Sequence, residues 1–176
     1  MLGEADKLIA LYTRDFGLLR ARASAVRQET SRMRYALQNF SYAQIALVRG
    51  ARGWRVVGAV PKRSMARASE DVLRTFARVA SLVERLVGGE EKNDYLFAAL
   101  LDAHAALSHN TDGAGATIEL ICVARVLFSL GYLSHEALET ALFTHTAYGS
   151  EHLKEAEGLR DKLLVSVNRA IAETHL

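Results

Sequence analysis

The sequence predicts an α+β protein in which a small antiparallel sheet, or OB-like barrel, precedes an all-α helical bundle. Two observations carry this prediction. Apolar residues alternate with polar ones before Pro61, the single proline, and recur every three or four residues after it. Residues 1–67 hold 13 Lys or Arg against 4 Asp or Glu, whereas residues 68–176 hold 9 against 16. We therefore expect two domains, residues 1–63 and residues 64–176.

The first two strands are predicted at residues 7–13 and 18–24, with a turn between them. Strict alternation in the second strand indicates that it is half-buried. Its apolar face carries Leu19, Ala21 and Ala23, and its polar face carries Arg20, Arg22 and Ser24. The solvent side of this strand is therefore predicted to be a row of arginines.

A hairpin is predicted next, with strands at residues 42–49 and 54–60 and a four-residue loop that begins and ends with glycine. Gly58, inside the second of these strands, marks either a bulge or a bend of a barrel. Residues 26–40 are polar and basic, and they read as either a long loop or a short helix.

Helical spacing begins after Pro61. A first helix is indicated by an apolar stripe that ends before two glycines, a second by a stripe that Asn93 caps, and a third by the apolar residues 118–130. The third is too short to span a bilayer and is expected to be the buried centre of a bundle. Ser134 is expected to cap a short helix with Leu138 and Leu142, and Ser150 to cap one final helix whose inward residues are Leu159, Leu163, Val167 and Ile171.

Composition and motifs argue against several classes of protein. Apolar residues make up 50% of the chain and charged residues 24%, which is a globular composition, and no stretch is long and apolar enough to predict a membrane span or a signal peptide. The single cysteine, Cys122, excludes an internal disulfide and reads as a buried, inert thiol. His135 and Glu136 lack the second histidine of a zinc motif, and Glu90 and Glu91 read as a solvated face. We expect no metal, no cofactor and no catalytic site.

The basic half instead predicts binding to a polyanion, because arginine supplies 11 of its 13 cations and pairs well with phosphate. Aromatic residues interleave with these arginines, a combination that grips single strands by phosphate contacts and base stacking. The stacking candidates are Tyr12, Phe16, Tyr35, Phe40, Tyr42 and Trp54. The predicted nucleic-acid-binding residues are Lys7, Arg14, Arg20, Arg22, Arg27, Arg32, Arg34, Arg49, Arg52 and Arg55.

Several short segments resemble the RecO family of bacterial DNA repair proteins. Residues 2–8 (LGEADKL) and 11–18 (LYTRDFGL) are similar to the opening of that family. Arg27 with Ser31 and Arg32 resembles its basic segment, and residues 37–40 (LQNF) and 128–132 (FSLGY) resemble two later motifs. The similarity is most specific in the first 60 residues.

The resemblance implies an N-terminal OB barrel, a helical domain and a recombination mediator that is not an enzyme. Such a protein would bind single- and double-stranded DNA, anneal complementary strands, contact RecR and the acidic tail of the single-stranded-DNA-binding protein, and so help to load RecA. It would be cytoplasmic and nucleoid-associated.

The sequence departs from the family in three respects. It has only one cysteine and so lacks the Cys-rich zinc module of many members, and its basic segment is thinned at residues 25–30. It also begins just after the position of the first strand of the family. This leaves two alternatives, an incomplete barrel with an open edge or a start further upstream.

Two other functions remain open at the level of sequence. In the first alternative the protein is an adaptor: its helical half binds proteins, and its basic face binds an acidic protein tail without binding DNA. In the second alternative it is an OB module that binds RNA. Oligomeric state and the residues that dock protein partners are not predicted.

Overall fold

The computed structural model describes residues 7–24, 33–109, 113–134 and 140–174. The chain divides into two compact units. The sheet unit comprises Met1–Ala68 together with Gly89–Lys92, and the helical unit comprises Ser69–Gly88 together with Asn93–Leu176. The short segment Gly89–Lys92 therefore belongs to the sheet unit, although helices precede and follow it in the sequence.

The sheet has four strands in the described residues, β1 (Lys7–Thr13), β2 (Gly17–Ala23), β3 (Ser41–Gly50) and β4 (Gly53–Ser64), in the order β1-β2-β4-β3. Strands that follow each other in the sequence, β1 with β2 and β3 with β4, pair antiparallel as predicted. The central pairing of β2 with β4 is parallel, which the sequence did not indicate. This long-range pairing decides which arginines become neighbours.

The β3–β4 hairpin is longer than predicted and has a tighter turn. Its turn consists of Ala51 and Arg52, and Gly53 follows with a φ of +90° that favours glycine. The register shifts at Ala46, opposite Gly58, so the bulge alternative for this glycine is confirmed. Pro61 lies inside β4 but beyond its pairing with β2, where a missing N–H is tolerated.

One face of the sheet is buried and the other is exposed. The buried cluster is formed by Leu19, Ala21, Ala23, Leu37 and Val56. The predicted alternation in β2 is confirmed, because its three apolar residues are at most 2% exposed while its two arginines are exposed. The sheet is thus a platform with a dry inner face and an arginine-bearing outer face.

The helical unit is organised around α3 (Gly115–Ser129), as the apolar stretch predicts. Nine residues of this helix are buried, and it packs against the four other α-helices of the described residues. These are α1 (Glu70–Leu86), α2 (Asp94–Ser108), α4 (Ser150–Gly158) and α5 (Arg160–Glu173). The cap predicted for α2 is confirmed, since the Asn93 side-chain oxygen accepts a hydrogen bond from the Leu96 N–H at 2.9 Å.

Two details of the C-terminal region differ from the prediction. The single last helix is two helices that break at Leu159, and Gly149 rather than Ser150 occupies the N-cap position. Gly158 weakens a helix at this point because it has no side chain and its backbone is flexible. The helix expected after Ser134 falls largely outside the described residues, and Leu142 lies in a single 3-10 turn, Ala141–Phe143.

Arg125 is a charged residue in the middle of the helical core. It is fully buried, and its guanidinium donates hydrogen bonds to the carbonyl oxygens of Leu142, Thr146 and Ala147 at 2.9, 2.7 and 3.0 Å. Its Cζ atom also lies 4.6 Å from the centre of the Tyr148 ring. One side chain of α3 therefore organises the irregular segment that precedes α4. No helix of the described residues has the length and apolar character to cross a membrane.

Candidate nucleic-acid interface

The outer face of the sheet brings together three of the predicted arginines. Arg20 and Arg22 are exposed on β2, and Arg55 is exposed on β4. Arg22 is the direct register partner of Arg55 in the parallel pairing. Like charges placed directly opposite each other destabilise a sheet, so this pair favours a bound anion between its two guanidiniums. Within the described residues, none of the three arginines forms an ion pair.

Aliphatic side chains flank this arginine pair. Leu8 on β1 pairs in register with Arg22, and Val48 on β3 pairs with Arg55. The row across the sheet is therefore Leu8, Arg22, Arg55 and Val48, with the two aliphatic residues 50% and 46% exposed. The partners in register of these arginines are not aromatic, which differs from the interleaving that the sequence suggested. The row offers two cations for phosphates and apolar surface on either side of them.

Tyr12 lies two residues beyond Ala10, the β1 partner of Arg20, and so shares the outer face. Burial raises the pKa of the Tyr12 phenol to about 12. A phenol of ordinary pKa 10.0 is already neutral at physiological pH, so Tyr12 adds no negative charge near the arginines.

The other predicted binding residues are distributed around the sheet unit. Lys7 donates a hydrogen bond to the side-chain oxygen of Asn39 at 3.2 Å, and its partner in register is Ala23, on the inner face. Arg14, Arg34 and Arg52 are exposed in turns. Arg27 and Arg32 lie outside the described residues. The structure thus groups Arg20, Arg22 and Arg55 on one face and places the remaining described candidates elsewhere.

Arg49 belongs to a second cluster, at the inner-face end of the β3–β4 hairpin. Its partner in register is Trp54, whose indole packs against the buried sheet cluster. The Arg49 Cζ atom is 5.4 Å from the centre of the Trp54 ring. The centre of the Phe16 ring is 5.0 Å from the centre of the Trp54 ring, and the two ring planes are tilted relative to each other. Trp54 therefore contacts both an arginine and a second aromatic ring.

A carboxylate from the segment Gly89–Lys92 completes this cluster. One oxygen of Glu90 accepts a hydrogen bond from the Trp54 Nε1–H at 2.9 Å, and the other lies 3.3 Å from an Arg49 guanidinium nitrogen. Glu90 is exposed, as the sequence interpretation of a solvated carboxylate has it, but its contacts with Arg49 and Trp54 were not part of that interpretation. No local pattern reveals this contact, because Glu90 lies 36 residues beyond Trp54 in the chain.

Lys62 is a further exposed cation that the sequence analysis missed. It lies in the far half of β4, next to the register shift at Tyr42 and Ala43. The predicted strand ended at residue 60, so this lysine was assigned to the domain boundary. Residues 61–64 (PKRS) have low β-propensity, so no local pattern indicated that the strand continues through Lys62.

The described residues also bear on other kinds of site. Across residues 7–24, 33–109, 113–134 and 140–174, no three His, Cys, Asp or Glu side chains are grouped so as to hold a metal ion. Cys122 is fully buried, and burial raises its thiol pKa from 9.0 to about 11. The thiol is thus protonated and inaccessible, as the sequence predicts.

Fold and surface together define an α+β protein with a small arginine-bearing sheet unit and a helical unit. Residues 1–59 match the family model described as "Recombination protein O N terminal". The chain is related to the RecO proteins, and the resemblance seen in its motifs is confirmed. It is 36% identical to the DNA repair protein RecO of Heliobacterium modesticaldum over 132 residues, which are 74% of this chain and 47% of that protein.

Two further relatives also match more than half of this chain. The DNA repair protein RecO of Pelotomaculum thermopropionicum is 35% identical over 135 residues, 74% of this chain and 50% of the relative. That of Dehalococcoides mccartyi is 30% identical over 111 residues, 62% of this chain and 44% of the relative. The chain spans about half the length of the curated relatives it matches.

Proposed function

We propose that this chain is a DNA-binding protein of bacterial DNA repair and recombination, acting as a RecO-type mediator. The observation that carries the proposal is the arginine pair Arg22 and Arg55, held side by side on an exposed sheet face with Arg20 beside them. Exposed like charges in register are unfavourable in the free protein and become favourable when phosphates lie over them. The relationship to DNA repair proteins named RecO supports DNA as the polyanion.

The mechanism that we propose is charge neutralisation. Arginines over the phosphates of two strands reduce their mutual repulsion, so that complementary bases meet and anneal. Binding is expected to be insensitive to sequence, because the outer face contacts a backbone and offers no recognition helix. The activity is binding and strand pairing, not catalysis.

The partners of this proposed role follow from the family resemblance. They are single- and double-stranded DNA, RecR, the acidic tail of the single-stranded-DNA-binding protein and, indirectly, RecA. The helical unit, whose half of the chain is acidic, is proposed to contact proteins rather than DNA. The proposed location is the cytoplasm, at the nucleoid.

The test is fluorescence anisotropy of a labelled single strand of about 30 nucleotides, titrated with the wild type and with R22A/R55A. For single strands each neutralised phosphate contributes about 0.7 to the slope of log K against log salt. Relative to about 1 M salt, this slope makes each phosphate contact worth a roughly eightfold gain in affinity at about 0.05 M salt and a roughly fourfold gain at about 0.15 M salt. The double variant should therefore bind about sixtyfold more weakly at the lower salt, with a slope shallower by about 1.4.

R85A/R169A is the matched control, because it also removes two exposed arginines but on α1 and α5 in the helical unit. It should leave the affinity nearly unchanged. Unaltered binding by R22A/R55A would contradict the assignment to the outer face, and absence of binding by the wild type would contradict the proposed function. A matched RNA strand that outcompetes DNA would favour the RNA alternative.

A further inference from the structure

The carboxylate of Glu90 occupies a set of donors that is suited to a phosphate. One Glu90 oxygen accepts a hydrogen bond from the indole N–H of Trp54, and the other forms an ion pair with the guanidinium of Arg49. A phosphate group presents two oxygens at a similar separation, and the planar guanidinium pairs with either anion. Glu90 therefore stands where an external phosphate oxygen pair would bind.

The contact is accessible to a competitor. The side chain of Arg49 is 67% exposed and that of Glu90 is 37% exposed. Ion pairs of this exposure contribute little to stability, since water and salt screen them and both side chains lose conformational freedom. An incoming strand with many phosphates would displace such a carboxylate at small cost.

The position of the cluster connects it with the outer face. Arg55 lies on the outer face of β4, Arg52 lies in the two-residue turn, and Arg49 lies on the inner face at the end of β3. Cationic side chains thus continue around one end of the hairpin from one face of the sheet to the other. A flexible single strand that crosses this end meets all three arginines.

We propose that Arg49 and Trp54 form a binding site for one phosphate of a nucleic-acid strand, and that Glu90 fills this site until the strand displaces it. The inference rests on the proposed function and adds to it an internal competitor for DNA. Glu90 lowers the affinity of the free protein for any polyanion that uses this site, by the same factor for a short ligand as for a long strand.

The segment that carries Glu90 is held in place independently of this side chain. The Leu18 N–H donates a hydrogen bond to the Gly89 carbonyl oxygen at 3.2 Å, and Gly17 lies directly against the backbone of Glu91. Replacing Glu90 therefore releases Arg49 and Trp54 while the backbone contacts of the segment remain.

The first measurement compares E90A with E91A in the single-strand titration. Both variants remove one negative charge from neighbouring exposed residues, but only Glu90 contacts the cluster in the described structure. E90A should bind the strand about twofold to fivefold more tightly than E91A, the range expected for loss of an exposed ion pair. In an R49A background, E90A and E91A should become equivalent. Equal affinities in the wild-type background would overturn the inference.

The second measurement uses the intrinsic fluorescence of Trp54, which is the single tryptophan of the chain. Strand binding should change its emission in the wild type, and R49A should remove most of that change. Normal DNA binding with unchanged Trp54 emission would overturn this inference and leave the proposed function intact. Absence of DNA binding would overturn both. An emission change caused by an oligo-glutamate peptide, with none caused by DNA, would assign the site to acidic peptides and overturn the inference.

Discussion

Replacement of Arg125 tests whether one buried guanidinium organises the segment before α4. Its three donors reach three separate carbonyl oxygens, those of Leu142, Thr146 and Ala147, and its face covers the Tyr148 ring. Lysine keeps the charge but has a compact ammonium in place of a planar fork. Methionine removes the charge and is unbranched, although it is shorter than arginine.

The magnitude follows from the three hydrogen bonds and the desolvation of the charge. Hydrogen bonds to a charged donor contribute about 1.5–3 kcal/mol each, so the gross loss for either variant is on the order of 4–9 kcal/mol. Methionine also removes a desolvation penalty of several kcal/mol, which leaves a net destabilisation of about 2–4 kcal/mol. Lysine retains a buried charge without its full set of acceptors, so R125K should be the more destabilised variant, by about 3–5 kcal/mol.

The assay is urea denaturation followed by far-UV circular dichroism, which reports mainly on the helical unit. Hydrogen exchange at residues 140–148 gives a local readout, and both variants should accelerate it. Arg74→Met and Arg74→Lys are the controls, because Arg74 is 63% exposed and pairs only with Glu70 on its own helix in the described structure. They should change the free energy of unfolding by less than about 0.5 kcal/mol. R125K as stable as the wild type would refute the argument from guanidinium geometry.

Two further predictions concern Gly17 and Cys122. Gly17→Ala should destabilise the sheet unit by at least about 2 kcal/mol in thermal unfolding, because the φ of Gly17 is +65° and a Cβ at this position would overlap the Glu91 carbonyl. Gly50→Ala is the control and should be nearly neutral, because the space around Gly50 is open. Equal melting temperatures for these two variants would contradict the close approach of the segment. Burial raises the pKa of the Cys122 thiol from 9.0 to about 11, so as the pH rises the unfolded chain loses this proton before the folded protein does. The free energy of unfolding should therefore fall by up to about 2–3 kcal/mol between roughly pH 9 and pH 11. C122A should reduce that fall, and iodoacetamide should label Cys122 only on unfolding; rapid labelling of the folded protein would show that the thiol is accessible.

Local patterns in the sequence were sufficient for the existence of the four strands and the first three helices and for the two faces of β2. Alternation predicts that Arg20 and Arg22 share an exposed face because side chains of a strand point alternately to opposite sides. The spacing of apolar residues predicts the first three helices, and the small number of polar residues in α3 predicts its central position. These features depend on residues a few positions apart, so their physics is contained in short stretches of chain.

Local sequence patterns did not predict the break between α4 and α5 at Leu159 or the structural role of Arg125. Gly158 weakens the helix beside the break, but a single glycine is tolerated inside many helices, and α4 and α5 each pack against α3. Arg125 reads in the sequence as an interruption of an apolar helix. Its partners lie 17 to 22 residues away, in the 3-10 turn Ala141–Phe143 and the irregular segment that follows it.

The sequence by itself determined that this protein has a basic sheet-forming half and an acidic helical half, and that arginines line one side of a strand. Only the tertiary structure decided that Arg22 lies beside Arg55, and that Glu90 occupies the donors of Arg49 and Trp54. The physical reason is that the register of a parallel strand pair and the docking of a distant segment depend on the whole buried sheet cluster. Alternation assigns a side chain to a face, but the tertiary fold assigns its neighbours.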